Sequence, residues 1–185
     1  MKRATLALVA FVALAAVVAF YGLDTLDRAV LDVIQRPHED WLDYAASLVT
    51  VLGQSEVVGS LALGVAVARL RHRRRDWWVP LGLALVVAIE VVGKTVIAQA
   101  APPDELSRSI EFIEFLQPPS LDAFPSGHVA RVAFLATALG WPRWLNVSFV
   151  LVMALTRVYL AEHWPSDVVG GWLLGYSIAL FAKRS

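Results

Sequence analysis

The sequence predicts an all-α integral membrane protein with six transmembrane helices, on three observations. Of its 185 residues, 58% are hydrophobic and 17% charged, which is more apolar than a soluble domain, where roughly half the residues are apolar. The apolar residues gather into segments near the ~20 residues that cross a bilayer. The basic residues fall between those segments with a consistent sidedness.

Residues 4–23 form the first and cleanest segment. A basic start before an apolar run also suits a cleaved leader, but this run is long for one, and it is expected to remain as a span. Residues 53–70 form a shorter second segment, which residues 42–52 extend. Residues 77–99 are apolar except for Glu90 and Lys94. Residues 126–140, 144–160 and 167–182 complete the six.

Lys2 and Arg3 precede the first segment, and Arg69, Arg71, Arg73, Arg74 and Arg75 follow the second. Arg143 lies between the fourth and fifth, and Lys183 and Arg184 end the chain. Six crossings put all four clusters on one side, which the positive-inside rule makes cytoplasmic, with both termini. Acidic residues collect on the other side: Asp24, Asp27, Asp32, Glu39, Asp40 and Asp43, then Asp104, Glu105, Glu111 and Glu114. There, Leu26, Val30, Leu31, Val33 and Ile34 at helical spacing predict an interfacial helix. Ile110, Phe112, Ile113, Phe115 and Leu116 suggest another apolar segment at that surface, within an irregular loop over 101–125 broken by five prolines. The chain reads as one domain, residues 1–185, with its polar motifs at about 90–175. Zero net charge predicts no nucleic-acid partner, and the absence of cysteine excludes disulfides and thiol nucleophiles. No signal for an oligomeric state is present.

Three stretches place ionisable residues beside apolar segments, where they are costly: Phe124-Pro125-Ser126-Gly127-His128, Thr156-Arg157, and His163-Trp164-Pro165-Ser166-Asp167. Six spans bring them to one depth at the outer face. Lys94 lies late in the third span, His128 opens the fourth, Arg157 and His163 close the fifth, and Asp167 opens the sixth. Pro125-Ser126-Gly127 is a helix start, with Ser126 as N-cap, and the free N–H groups of such a start bind anions. Arg157 offers a planar fork to phosphate oxygens, and Lys94 a point charge. One histidine can attack phosphorus while the other protonates the leaving oxygen. Asp167, four residues after His163, is within reach of its second ring nitrogen. Each residue also has a plain structural use: Ser126 as a simple cap, Gly127 as a turn glycine, Lys94 snorkelling or paired with Glu90, and Asp167 capping the sixth helix.

These residues resemble the type-2 phosphatidic acid phosphatase superfamily. The family pattern has three parts: Lys, six residues and Arg-Pro; Pro-Ser-Gly-His; and Ser-Arg, five residues, His, three residues and Asp. Pro125 to His128 match the second part, and Arg157, His163 and Asp167 match the third, with Thr156 for serine. The first part begins at Lys94 but holds Ala101 where arginine is expected before Pro102. The resemblance implies His163 as the nucleophile that forms a phosphohistidine, Asp167 as its support and His128 as general acid. Lys94, Ser126, Gly127 and Arg157 would hold the phosphate, with no metal or cofactor. Arg131, three residues after His128 on the same helical face, is the candidate replacement for the missing arginine, or else a buried structural partner of a carbonyl or acidic group. Arg108 is a weaker candidate. The implied activity is hydrolysis of a terminal phosphate from a lipid phosphate or diphosphate, at a site facing the periplasm or cell exterior. Undecaprenyl diphosphate, phosphatidic acid and phosphatidylglycerol phosphate are the substrate classes, and the other partners are membrane lipids. A phosphotransferase using the same histidine, or a non-enzymatic lipid-binding or transport protein that kept the fold, are the alternatives.

Overall fold

The computed structural model describes residues 2–112 and 122–183. The described residues form helices α1 (Lys2–Tyr21), α2 (Asp24–Ile34), α3 (Asp40–Thr50), α4 (Ser55–Arg71), α5 (Leu83–Val96), α6 (Gly127–Leu139), α7 (Arg143–Tyr159) and α8 (Pro165–Ala182). No strand occurs among them; Ala100 and Asp122 form one isolated antiparallel bridge. Leu26, Val30, Leu31, Val33 and Ile34, the residues of the expected interfacial helix, all lie in α2, and a second helix, α3, begins at Asp40. The expected apolar segment 110–116 falls partly on residues 113–121, outside the described residues.

The chain is a helical membrane protein. Leu6, Val9, Val12 and Phe20 of α1, Leu63 of α4, Val92 of α5, Leu151 of α7 and Trp172 of α8 are all exposed. Soluble monomers rarely expose apolar surface on this scale, whereas a hydrocarbon exterior suits it. Lys2–Tyr21 and Val79–Val96 are each long and apolar enough to cross a membrane. Asp40–Gly53 and Ser55–Arg71 meet the test together, as a pair bent by 44°, so the extended second segment read from sequence is broken at Gly53 and Gln54. By length and composition the described residues thus hold two spans, or three with the bent pair. Helix α6 has 13 residues, a rise of ~20 Å against a hydrocarbon core of about 30 Å. It begins after Ser126 and stops at Gly140, whose φ of 76° closes the helix with Trp141 N–H bonded to Ala136 O.

Helix α6 is the core. Residues from Gly127 to Ala138 are buried on every side, His128 and Arg131 included. Its main partner is α8, which also packs on α1. Two glycines permit the approach: a Cβ on Gly171 would overlap Ser126 O, and one on Gly175 would overlap Ala130 O. Small residues at such contacts let helix backbones touch. The obstruction is backbone, so α8 cannot accommodate a methyl without moving off α6. Gly171→Ala and Gly175→Ala should each cost about 1–3 kcal/mol, read as a lower thermal midpoint of purified protein. Gly64→Ala, whose Cβ would meet nothing within 4 Å, is the control and should cause no such loss.

Candidate active site

The start of α8 is built around one carboxylate. Asp167 is fully buried. Its Oδ2 accepts the Trp164 N–H at 2.8 Å and lies 3.3 Å from His163 Nδ1. It therefore caps its own helix and orients His163 at once, because the two residues are one helical turn apart. The turn from α7 places His163: Ala161 takes a left-handed φ of 54°, and the N–H groups of Glu162 and His163 both donate to Arg157 O.

The start of α6 is tied to the same point, since Ser126 N–H donates to Asp167 O at 3.0 Å. Two helix beginnings thus converge, from sequence positions ~40 residues apart. Ser126 holds the N-cap position expected of it, but its hydroxyl makes no cap bond, and its buried Oγ has no partner. Gly127 lets the Glu90 carboxylate lie against the start of α6, where a Cβ would overlap it. The His128 ring lies against Gly53, 2.8 Å from where that residue's Cβ would be. Its Nε2 is buried without a partner.

The cations are arranged in two groups. Arg157 donates from Nη2 to Glu162 Oε2 at 3.3 Å, and its buried Nε has no partner. Arg131, expected as a stand-in for the missing arginine, donates from Nη1 to Glu90 Oε2 at 2.8 Å and from Nε to Gly53 O at 3.1 Å. Both members of that pair are buried. The geometry is that of a structural partner holding a carboxylate and a carbonyl. Lys94 Nζ is 3.7 Å from Glu90 Oε1, so Glu90 sits closer to Arg131 than to Lys94. Lys94 also lies within electrostatic reach of Arg157 and Asp167, as His128 does of Arg157, Lys94 and His163. Ala101 is exposed. Arg108 donates to Pro37 O at 2.7 Å and packs over the Tyr159 ring, a structural position. Among the described residues no group of three His, Cys, Asp or Glu side chains is placed to hold a metal.

Sequence reasoning missed a supporting network. Asp27, read as an outer acidic residue, is 2% exposed. Its Oδ1 accepts Ser166 N–H at 2.9 Å and its Oδ2 accepts Ser166 Oγ at 2.6 Å. Gln99 Nε2 donates to Ser166 Oγ at 3.1 Å. An acidic residue of α2 thereby caps the helix that carries Asp167. Burial raises the Asp27 carboxyl above its usual range, against the hydrogen bonds from Ser166. One signal was available: Asp27 and the fully buried Leu31 are one turn apart on α2, so they share its inward face. Gly53 and Glu162 were also missed; neither spacing nor residue type marks them.

His163 lies in the turn between α7 and α8. Burial, then the charges of Arg157, Lys94 and Arg131, hold its imidazole well below the usual histidine range, while its hydrogen bond to the Ala123 backbone acts in the opposite direction. It is therefore neutral at pH 7 and has a lone pair to use.

Residues 75–185 match the family model of the PAP2 superfamily, which is well over half of the chain. The chain belongs to the PAP2 superfamily. This PAP2 chain is 32% identical over 127 residues to an undecaprenyl-diphosphatase of Sulfolobus acidocaldarius, covering 64% of this chain and 60% of that protein. It is 36% identical over 121 residues to a decaprenylphosphoryl-5-phosphoribose phosphatase of Mycobacterium tuberculosis, covering 64% and 65%. The matches thus span less than two thirds of those relatives. In fold, this PAP2 chain is similar to a transmembrane PAP2 type phosphatidylglycerolphosphate phosphatase of Bacillus subtilis, with TM-score 0.82, 21% identity, and coverage of 100% of this chain and 96% of that one. Aquifex aeolicus LpxE is a second structural relative, at TM-score 0.68 and 21% identity over 86% of this chain and 96% of that one.

Proposed function

We propose that the chain is a membrane phosphatase that removes a terminal phosphate from a lipid phosphate or diphosphate through a phosphohistidine. One observation carries this reading. Ser126 Oγ, His128 Nε2 and Arg157 Nε are buried without partners; the first two belong to the start of α6 and the third to the last turn of α7. Buried polar atoms are almost always paired, and a phosphate would pair these three. Family membership and the lipid phosphatases among the relatives support the same chemistry.

The proposed reaction has two steps. His163, held at Nδ1 by Asp167, attacks phosphorus through Nε2. The bond between phosphorus and the head-group oxygen breaks, and His128 delivers a proton to that oxygen. Water, deprotonated by His128, then attacks the phosphohistidine, which releases inorganic phosphate and restores His163. Arg157, Lys94 and the Gly127 N–H at the start of α6 offset the phosphate charge as it develops. Arg131 acts at one remove, by holding the Glu90 carboxylate against Gly127 and near Lys94.

The proposed topology is six crossings, with both termini cytoplasmic and the site at the outer, periplasmic or exterior face. The four basic clusters at alternate connections support it. The lipid tail would remain in the bilayer while the head group enters the site.

The test is a phosphate-release assay on purified protein over prenyl diphosphates, phosphatidic acid and phosphatidylglycerol phosphate, followed against pH. Release from at least one lipid is expected. Protonation removes the attacking lone pair only as pH falls through the lowered value of His163, so the acid limb should lie below pH 6.5. No release from any of the lipids overturns the reading.

A further inference from the structure

We infer that the phosphate removed at this site is a monoester carried on a hydroxyl-bearing head group, a glycerol or a sugar, and that Glu162 sets this preference over a diphosphate. The inference rests on the phosphatase reading and names its substrate class.

A cavity of about 100 Å³ opens beside the proposed reaction centre. Its lining brings His128 and Arg157 together with Thr50, Gln54, Glu111 and Glu162, beside the apolar Val51 and Phe112. Glu162 Oε2 is 3.3 Å from Arg157 Nη2, so any group seated on Arg157 lies beside this carboxylate. The Glu162 side chain is 30% exposed, which lets it turn from Arg157 toward an arriving head group.

Charge then discriminates between leaving groups. A phosphate bound at Arg157 and His128 is matched by cations. In a diphosphate, the departing group is itself a phosphate, and it would enter the space flanked by Glu162 and Glu111. Like charges at that range repel. A polyol puts neutral hydroxyls there, and these donate to the carboxylates in charge-assisted hydrogen bonds and to the Gln54 amide oxygen in ordinary ones. The cations that would serve a second phosphate are committed elsewhere: Ala101 stands at the family's arginine position, and Arg131 is bound by Glu90 and Gly53 O. Glu162, on the cavity that it shares with His128, the proposed donor to the leaving oxygen, is thus placed to read the group that leaves.

Three dioleoyl lipids with one tail separate the terms, assayed with the purified full chain in detergent micelles. Phosphatidylglycerol phosphate carries a terminal monoester on glycerol. Diacylglycerol diphosphate carries a diphosphate, and phosphatidic acid a monoester without a head-group hydroxyl. The expected kcat/KM for phosphatidylglycerol phosphate exceeds that for the diphosphate by at least about tenfold, a modest return for one like-charge contact avoided, and also exceeds that for phosphatidic acid. Glu162→Gln should shrink the first ratio by raising turnover of the diphosphate, and Glu162→Asp, which keeps the charge, should preserve it. Equal or better use of the diphosphate by the unaltered protein overturns the inference, as does an unchanged ratio in a folded Glu162→Gln. Phosphatidic acid used as well as phosphatidylglycerol phosphate overturns the hydroxyl recognition. Phosphate release from none of the three overturns the phosphatase reading itself, and this inference with it.

Discussion

Replacing His163 with alanine should lower phosphate release by a factor on the order of 10⁴ or more, since it removes the proposed attacking atom. Three features make this the largest catalytic effect expected in the chain. His163 is held in place by Asp167 at 3.3 Å. Its environment keeps it neutral at pH 7. It stands between the two helix beginnings joined by the Ser126 N–H bond to Asp167 O. The alanine variant retains that bond and the Trp164 N–H bond to Asp167, so the fold should survive and the loss should appear in kcat. His38→Ala, at an exposed position, should leave turnover unchanged and serves as the control. Turnover within about tenfold of the unaltered protein, in a folded His163→Ala, would exclude the phosphohistidine step.

Removing Arg131 should cost about 3–5 kcal/mol of stability, the usual penalty for leaving a buried charge without its partner. Glu90 and Arg131 are both under a tenth exposed, and they meet at 2.8 Å. Arg131→Ala would leave the Glu90 carboxylate against Gly127 with only Lys94 at 3.7 Å to offset it. It would also leave Gly53 O without its donor. The double variant Glu90→Leu with Arg131→Met should regain most of the stability, because replacing both partners of a buried pair with apolar groups is often neutral. Thermal melts of the two single variants and the double variant measure this coupling. A folded, fully stable Arg131→Ala whose only defect is a raised KM would instead give Arg131 the direct phosphate contact that its place after His128 suggests.

The legible parts of this molecule are those that depend on local spacing. His163 and Asp167 are four residues apart, so a helix start at Trp164 brings them together whatever surrounds it. Pro125-Ser126-Gly127 marks the start of α6, and Gly140 marks its end, by backbone preference alone. The motif order sufficed to indicate the family, which the family match confirms, and the apolar excess agrees with the helices of the described residues. Where local rules ran out, long-range packing had intervened. Ser126 holds the N-cap position that it was read for, yet its buried hydroxyl makes no cap bond, while its N–H is drawn to Asp167 O across the fold. Residues 126–140 hold α6, and spacing alone could not show that neighbours enclose it on every side.

The sequence alone therefore determined the chemistry on offer: which residues carry charge, which can attack phosphorus, and which lie one helical turn apart. Only the tertiary structure decided who meets whom. Glu90 and Arg131 are 41 residues apart, and Asp27 and Ser166 are 139 apart. No helical period links either pair. A buried charge must be paired to be tolerated, and which partner it receives depends on how α2, α5, α6 and α8 pack, not on the identity of either residue.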